Sequence, residues 1–360
     1  MKNLLHIVIA VLLLLAAVNS SSLAQQQQQQ TTRREIDKKF RAETVDSLLR
    51  LLREKYVYPE IAVKMDEAVR ARLGRGEYDS ISDGKTLAEK ITADLRAVFD
   101  DKHLKLSYSA EPIAANSSRA GAPSAAEIEA ARRRQSRENF GATRVEILKG
   151  NVGFIKLNYF APLDWSANAY ASAMNFVADT DALIIDVREN RGSMDINAVP
   201  FFCSFLFREP VQLGDVFWRE TNETRQLWTY AQVPGRKYAE DKPVYVLTSR
   251  RTASGAEGFV RHLKRLKRAV LVGEATMGAT MPGMSHRVNE HFSVWISLGR
   301  SASGNAAGEN KGTEPDIAVE PEKAPDAAHL RAINQILQTA SDEEWKNHLK
   351  TVAAEIEGRK

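Results

Sequence analysis

The sequence predicts a mixed α/β core preceded by a helical subdomain, and two patterns support this interpretation. From Glu35 to Phe99, apolar residues recur at the spacing of amphipathic helices. After residue 140, short apolar runs typical of buried strands alternate with helical stretches. We expect the following organisation: signal peptide 1–24, flexible spacer 25–34, N-terminal helical subdomain 35–112, linker 113–140, α/β core 141–340 and C-terminal helix 341–360.

The N-terminus has the features of a secretory signal peptide. Lys2 precedes an apolar run from Leu4 to Val18, and the small-residue stretch Asn19 to Ala24 suits cleavage before Gln25. The apolar run is shorter than the roughly 20 residues that a membrane-spanning helix needs. No cysteine stands at the cleavage point to carry a lipid. We therefore expect a secreted or periplasmic protein, with no stable membrane insertion after cleavage.

Composition and charge exclude several functional classes. The 360 residues are 27% charged and 43% hydrophobic, which is typical of a globular protein rather than a disordered one. The formal net charge is +4, but acidic and basic residues are mixed along the chain, so we expect no nucleic-acid partner. The single cysteine, Cys203, lies in an apolar run and cannot form an internal disulfide. We expect it to be a buried core thiol.

Three amphipathic helices are predicted in the N-terminal subdomain. The second breaks at Gly74-Arg75-Gly76, and the third follows Asp83 and ends at Phe99-Asp100-Asp101, so that it delivers His103. The apolar faces consist of Val45, Leu48, Leu49, Leu51 and Leu52 in the first helix, Ile61, Val63, Met65, Val69 and Leu73 in the second, and Leu87, Ile91, Leu95 and Val98 in the third.

The rest of the chain divides into a linker, a core and a helical end. The linker is rich in alanine, serine and arginine, and a short polar helix can begin in it at Ala125. Residues from Ala324 onward predict two helices that pack on the core. The core strands, which we place in one largely buried sheet, are predicted at Val152 to Phe160, Ala182 to Val187, Val244 to Thr248, Ala269 to Val272 and Phe292 to Leu298.

Ser254 stands where a predicted strand gives way to a helix. The strand Val244 to Thr248 is followed by a short polar turn and by helical spacing at Ala256, Phe259 and Leu263. A serine that opens a helix can cap it by bonding a backbone N–H. It can also be a nucleophile, because the free N–H groups of a helix N-terminus stabilise an oxyanion. The spacing alone leaves both interpretations open.

A second strand-to-helix turn adds to the nucleophile interpretation. The buried strand Ile184 to Val187 ends in a turn containing Gly192, where the lack of a side chain lets a backbone N–H approach a substrate. Two such turns at one sheet edge would place a hydroxyl beside N–H donors, which is the arrangement of an oxyanion hole. The alternative is a pair of tight turns with structural Asp and Asn caps.

Several ordered motifs together make the sequence similar to the S41 peptidases, the family of C-terminal processing and tricorn proteases, and within it to the branch of the interphotoreceptor retinoid-binding protein modules. The resemblance spans roughly residues 40 to 335. The motifs are Tyr56-Val57-Tyr58-Pro59, Asp100-Asp101-Lys102-His103-Leu104, Gly150-Asn151-Val152-Gly153-Phe154-Ile155-Lys156-Leu157, Asp186-Val187-Arg188-Glu189-Asn190-Arg191-Gly192, Thr252-Ala253-Ser254-Gly255-Ala256-Glu257, Gly273-Glu274-Ala275-Thr276-Met277-Gly278 and Gly312-Thr313-Glu314-Pro315-Asp316.

This resemblance implies a crotonase/ClpP-like core, in which residues 141–340 form the S41 peptidase-like part, and a serine-type peptidase site. By resemblance, Ser254 is the nucleophile, and the N–H groups of Gly192 and Gly255 form the oxyanion hole. His103 takes the position of the histidine base of the tricorn-like branch, and Glu309 that of its orienting acid.

The resemblance leaves one member of the site open and shows three departures from the family pattern. Asp316 is the second candidate for the acid, with the fixing of its own turn as the alternative role. The lysine base of the processing proteases has no counterpart after Gly278. Lys102 stands where tricorn-like members carry a second serine, and Arg191 and Ser193 replace glycines.

The resemblance and the residues define the expected partners. We expect a peptide or protein substrate, and the chain lacks room for a PDZ module between Ser107 and Gly150. We expect neither a cofactor nor a metal, because His286 and His291 lack a third ligand at metal spacing and suit a hairpin. The oligomeric state is not defined by the sequence. The rival function is a non-catalytic carrier of apolar ligands, as in the retinoid-binding modules.

Overall fold

The computed structural model describes residues 36–114, 124–302 and 310–359. The predicted signal peptide, the predicted spacer and Glu309 lie outside these residues. The helices are α1 (Lys38–Lys55), α2 (Pro59–Gly74), α3 (Gly84–Val98), α4 (Ala125–Ser136), α5 (Leu163–Val177), α6 (Ala198–Cys203), α7 (Gly255–Arg265), α8 (Ala324–Thr339) and α9 (Glu343–Glu357). The strands are β1 (Lys105–Tyr108), β2 (Ala142–Leu148), β3 (Val152–Leu157), β4 (Ala182–Asp186), β5 (Gln212–Trp218), β6 (Glu223–Trp228), β7 (Val244–Thr248), β8 (Val270–Gly273), β9 (Gly283–Arg287), β10 (Phe292–Ser297), β11 (Gly299–Ser301) and β12 (Ile317–Ala318).

The central feature is a six-stranded sheet in the order β12-β8-β7-β4-β3-β2. Its strands are parallel except β2, which pairs antiparallel with β3. β4 and β7 lie side by side, and every residue of both is buried. Such fully buried apolar strands are typical of a parallel sheet with helices on both faces. Because neighbouring parallel strands end at the same edge, the turns after β4 and β7 meet there.

Helices cover both faces of this sheet, as the alternating side chains of β4 illustrate. Leu183 and Ile185 pack into one apolar cluster with residues of α5, α6 and α7, whereas Ile184 packs into a second cluster with residues of α8 and α9. Strand side chains point to opposite faces in turn, so one strand serves both clusters. Cys203 is buried in the first cluster, as predicted. The two helices predicted from Ala324 onward are confirmed as α8 and α9.

The N-terminal part is helical, as predicted. Asp37 caps α1 by accepting a hydrogen bond from the N–H of Phe40 at 2.7 Å, and Asp83 caps α3 by accepting one from the N–H of Thr86 at 2.9 Å. The apolar faces of α1, α2 and α3 form one buried cluster, with Leu48, Leu87 and other residues fully buried.

One predicted strand belongs to a different sheet from the one we expected. The run Phe292 to Leu298 was expected in the core sheet, but β10 pairs with β1 and β9 in a separate three-stranded antiparallel sheet. Phe292, Val294 and Ile296 pack against the N-terminal helices. β9 and β10 also form the hairpin that His286 and His291 suggested. Part of the second half of the chain therefore completes the N-terminal subdomain.

The linker and a small surface sheet complete the fold. Ser124 and Glu127 form a capping box at the start of α4, which begins at Ala125 as predicted. β11, β5 and β6 make a second antiparallel sheet of three strands. No helix in the described ranges is both long and apolar enough to cross a membrane.

Candidate active site

The turns after β4 and β7 are tied together, so that the two predicted site segments lie side by side. The hydroxyl of Thr252 donates to the carbonyl of Val187 at 2.9 Å, and the hydroxyl of Ser249 donates to the carbonyl of Arg188 at 2.6 Å. The N–H of Ala253 donates to the carbonyl of Asn190 at 3.0 Å. These bonds fix the segment before Ser254 against the segment before Gly192.

Ser254 has a backbone conformation that an L-residue rarely adopts. It precedes the first residue of α7, and its φ and ψ are 56° and −126°. Steric clashes of the β-carbon normally keep φ negative, so a serine at this φ costs roughly 1–3 kcal/mol. The side chain does not cap the helix, because it makes no hydrogen bond to the N–H groups of the first turn. The hydroxyl is therefore held at the helix N-terminus without serving the helix.

Gly192 lies directly against the nucleophile candidate. A β-carbon added at Gly192 would stand 2.7 Å from Cβ of Ser254 and 3.1 Å from its Oγ. On the other side of the contact, a β-carbon added at Gly255 would stand 2.5 Å from Cβ of Ser193. The two turns approach so closely that both positions require glycine. The structure thus brings together three of the predicted site residues: Ser254, Gly192 and Gly255.

The two predicted oxyanion donors differ in their hydrogen bonding. The N–H of Gly255 belongs to the first residue of α7, so helix geometry provides it with no acceptor inside the helix. The N–H of Gly192 donates to Oδ1 of Asn190 at 2.9 Å. Asn190 is fully buried, and its Nδ2 has no hydrogen-bond partner among the described residues. Asn190 therefore holds the Gly192 amide in this structure.

Glu257 secures the other wall of the site. Its buried carboxylate accepts hydrogen bonds from the hydroxyl of Thr276, the N–H of Gly278 at 2.8 Å and the N–H of Ala279. The carbonyl of Ala279 in turn accepts the N–H of Ser254 at 2.6 Å. Burial raises the pKa of Glu257, and its three donors counteract this. Glu257 therefore positions the segment Gly278-Ala279, which contacts Ser254.

His103 lies in the N-terminal subdomain, directly before β1. Its ring stacks on the indole of Trp295 with the ring centroids 6.0 Å apart. Nδ1 is buried and has no hydrogen-bond partner in the described part of the chain. Burial lowers the pKa of His103, the nearby Asp101 carboxylate raises it, and Arg96 lowers it. The imidazole is therefore favoured in its neutral form, which can accept a proton.

Asp101 fixes the loop that carries His103. One carboxylate oxygen accepts the N–H of His103 at 2.9 Å. The other accepts the hydroxyl of Tyr56 at 3.1 Å and that of Ser297 at 2.7 Å. The loop is thereby bonded to both α1's C-terminal end and β10. Asp101 is 1% exposed, and its contacts are those of a residue that positions its neighbour.

The structure shows no hydrogen bond between His103 and Ser254. The segment from Ala279 to Ser285 connects the two residues. Its first residue, Ala279, bonds Ser254, and its last residue, Ser285, pairs with Trp295, on which His103 stacks. That stretch can span at most about 20 Å. The two predicted groups are thus connected through one short segment of the chain, and no hydrogen bond joins them.

The two acid candidates have different settings. Glu309 is outside the described residues, but its neighbour Asn310 packs against Gly278, where an added β-carbon would stand 2.5 Å from the Asn310 carbonyl oxygen. Asp316 accepts the N–H of Leu271 at 2.8 Å and pairs with Lys264 at 3.1 Å. Its contacts therefore hold the edge of the core sheet between β8 and β12.

Sequence reasoning did not single out Asn190, Asp101 or Glu257, although all three lie in the motifs. The spacing of Ser254 and Glu257 matches a capping box, in which the glutamate would bond the serine's own N–H. That N–H goes instead to Ala279, and the carboxylate holds the Gly278 segment. Within the described ranges, no group of three or more His, Cys, Asp or Glu side chains is placed to hold a metal.

Comparison with known proteins identifies the family. Residues 151–319 match the model of peptidase family S41, and residues 24–142 match the N-terminal domain of S41 peptidases in eukaryotic IRBP. The chain belongs to peptidase family S41. The first match contains the Ser254 and Gly192 turns, and the second contains His103.

Two relatives of this S41 member are informative. It is 25% identical over 184 residues to the chloroplastic C-terminal processing peptidase of Tetradesmus obliquus, an alignment that covers 49% of this chain but only 37% of that protein. The crystal structure of a proposed peptidase from Parabacteroides merdae ATCC 43184 has 18% sequence identity and a TM-score of 0.52, covering 78% of this chain and 90% of that one. This second likeness confirms the predicted fold.

Proposed function

We propose that this S41 member is an exported serine peptidase that cleaves peptide bonds through an acyl-enzyme formed on Ser254. The observation that carries the proposal is the strained backbone of Ser254, with φ of 56°, at a helix N-terminus where the side chain caps nothing. Strain of this kind persists only where surrounding bonds impose it, and it clusters at catalytic sites. At Ser254, two hydrogen bonds constrain the backbone: the Ser254 N–H donates to the carbonyl of Ala279, and the neighbouring Ala253 N–H donates to the carbonyl of Asn190.

His103 is the proposed general base. In the chemical step, His103 takes the proton of the Ser254 hydroxyl while the serine oxygen bonds the carbonyl carbon of the substrate. The C–N bond then breaks, the leaving amine takes the proton from the imidazolium, and water releases the acyl group by the reverse sequence. The depressed pKa of His103 supports this role, since a neutral imidazole is the proton acceptor. Substrate would have to bridge or close the space between the two groups.

Two backbone amides are proposed to hold the oxyanion. The N–H of Gly255 gains from its position at the start of α7, where the helix dipole favours negative charge. The N–H of Gly192 can contribute once it exchanges Oδ1 of Asn190 for the substrate oxygen. Hydrogen bonds in a catalytic site are commonly rearranged when the substrate binds.

Glu309 is the proposed acid that orients His103. The histidine has an unpartnered, buried Nδ1, which is the nitrogen that an orienting carboxylate bonds in a triad. Asn310, the residue after Glu309, lies against Gly278, and the next residue, Ala279, bonds Ser254. This contact supports a position of Glu309 near the serine turn. Asp316 is less suited, because its carboxylate is already engaged by Leu271 and Lys264.

Export is proposed from the N-terminal pattern of Lys2, an apolar run and small residues. Purification of the mature protein from the extracytoplasmic fraction and determination of its N-terminal residue test this. We expect Gln25 as the first residue. An N-terminus at Met1 in the cytoplasmic fraction would contradict export.

A fluorophosphonate probe, which forms a covalent bond with an activated serine, tests the catalytic proposal. We expect labelling of the wild-type protein, complete loss of labelling in Ser254→Ala and strong loss in His103→Ala. Ser172→Ala is a matched control, because it removes an exposed hydroxyl on α5, which takes no part in the hydrogen bonds of the site. Absence of wild-type labelling together with tight binding of apolar fluorophores would favour the carrier function.

A further inference from the structure

A cleft beside His103 has a lining whose charge the proposed reaction does not explain. It encloses about 340 Å³ and is lined by Arg96, Lys102, His103, Lys105, Ser107, Ser285 and Trp295. Three of these residues are cationic, and no carboxylate is among them. The cleft lies on the outer face of the sheet formed by β1, β10 and β9, opposite the face that covers the N-terminal helices.

Two of the three cations have no carboxylate partner among the described residues. Lys105 is exposed and forms no ion pair there. Arg96 donates Nε to the carbonyl of Leu104 at 2.9 Å and Nη2 to the carbonyl of Lys102 at 2.7 Å. These bonds fix the guanidinium without neutralising it. Lys102 differs, because Asp100 pairs with it.

The remaining lining residues suit a polar ligand group that lies beside an aromatic ring. Ser107 and Ser285 supply hydroxyl donors at the sheet surface, and the indole of Trp295 supplies an apolar wall on which His103 stacks. Cations without a carboxylate partner, placed beside hydroxyl donors, are groups that recognise a carboxylate. Because His103 is itself part of the lining, a carboxylate bound here would belong to a molecule that also reaches the proposed base.

We infer that this cleft is a substrate subsite for a carboxylate group of the peptide, with Lys105 as its main specificity-determining residue. The inference rests on the proposed peptidase function and gives it a substrate class: peptides with a carboxylate near the scissile bond. The carboxylate comes either from an acidic side chain or from the peptide's C-terminus. Both present the same group to the cleft.

Binding to the Ser254→Ala full-length mature protein tests the inference without turnover. Fluorescein-labelled peptides of one sequence are compared in four forms, with Glu or Gln at a central position and with a free or an amidated C-terminus. We expect the favoured carboxylate to tighten binding about fivefold, as for a partly solvated charge-assisted hydrogen bond. The gain should decrease as salt rises from low to physiological concentration. The form that shows the gain identifies the source of the carboxylate.

Variants of Lys105 connect the preference to the cleft. In the same Ser254→Ala background, Lys105→Gln should abolish the preference and Lys105→Arg should retain it. Lys64→Gln is the matched control, because Lys64 is an exposed lysine on α2 outside the cleft. Equal binding of all four peptides, or a preference unchanged in Lys105→Gln, would overturn the inference. A carboxylate preference in a protein whose wild type resists the fluorophosphonate probe would leave the subsite standing and reject the peptidase proposal.

Discussion

A β-carbon at Gly192 would stand 2.7 Å from Cβ of Ser254, closer than real β-carbons approach one another. The φ of Gly192 is also +126°, a conformation that L-residues rarely adopt. The turn after β4 therefore touches the serine turn through a residue that has no side chain. Both the position of the serine and the access to its hydroxyl depend on this contact.

Gly192→Ala should reduce kcat/KM by roughly 100-fold, because the turn must shift away from Ser254 and a shift of about 1 Å suffices for such a loss. Steady-state kinetics on a peptide substrate measures this. Gly258→Ala is the control, since its added β-carbon would meet only His262 Nε2 at 3.7 Å within α7. That variant should keep its activity, with helix stability raised by about 0.5–1 kcal/mol. Equal activity of both variants would contradict the assigned contact.

Replacement of Ser254 separates backbone strain from chemistry. Ser254→Gly and Ser254→Ala should both be inactive, because each lacks the hydroxyl. Glycine accepts a φ of 56° without a β-carbon clash, so Ser254→Gly should be more stable than Ser254→Ala by about 1–2 kcal/mol. Urea unfolding of the two mature proteins measures the difference. An alanine variant as stable as the glycine variant would show that the position carries no strain.

The pH dependence of kcat/KM should reflect the environment of His103. Burial disfavours the imidazolium, so the pKa of His103 lies below its usual value of 6.5. The base is active when neutral, and therefore kcat/KM should fall only as the pH drops below about 6.5. At neutral pH it should already be on its plateau. His348→Ala, which removes an exposed histidine on α9, should leave this profile unchanged. An acid limb centred above pH 7 would exclude His103 as the titrating base.

The two acid candidates should differ in what their replacement damages. Glu309→Gln should lower kcat strongly, though less than His103→Ala, and leave the free energy of unfolding nearly unchanged. Asp316→Ala should leave kcat of the folded protein near wild type but cost about 1–3 kcal/mol of stability, because the N–H of Leu271 loses its side-chain acceptor. Kinetics and urea unfolding of both variants decide this. Wild-type kcat in Glu309→Gln would transfer the acid role to Asp316.

Local patterns in the sequence predicted much of the fold. The strand before Ser254 and the helix after it follow from apolar runs and spacing alone, and so do α1, α2 and α3. The assignment of β10 to the core sheet was wrong, because an apolar alternating run defines a strand but not the sheet that it joins. Only tertiary packing on Leu104, Leu106 and the N-terminal helices determines that.

The site was also predicted only in part, because local patterns do not define the tertiary contacts of its residues. Gly192 and Gly255 could be placed beside Ser254, since two parallel strands end at one edge. The left-handed φ of Ser254 could not be predicted, because it is imposed by a hydrogen bond to Ala279, which is distant in sequence. Glu257 shows the same effect: its local spacing favours a capping bond, and the tertiary donors of Thr276, Gly278 and Ala279 replaced it.

The position of the β9–β10 hairpin has a consequence for how the protein can be divided. The hairpin lies between β8 and β12 of the large sheet in sequence, yet it supplies two of the three strands that cover α1, α2 and α3. A fragment cut in the linker would expose Leu48, Leu87 and their neighbours to water, and the remaining piece would expose Phe292, Val294 and Ile296. Neither half is then an autonomous unit, and the helices, the hairpin and the large sheet should melt together in a single cooperative transition.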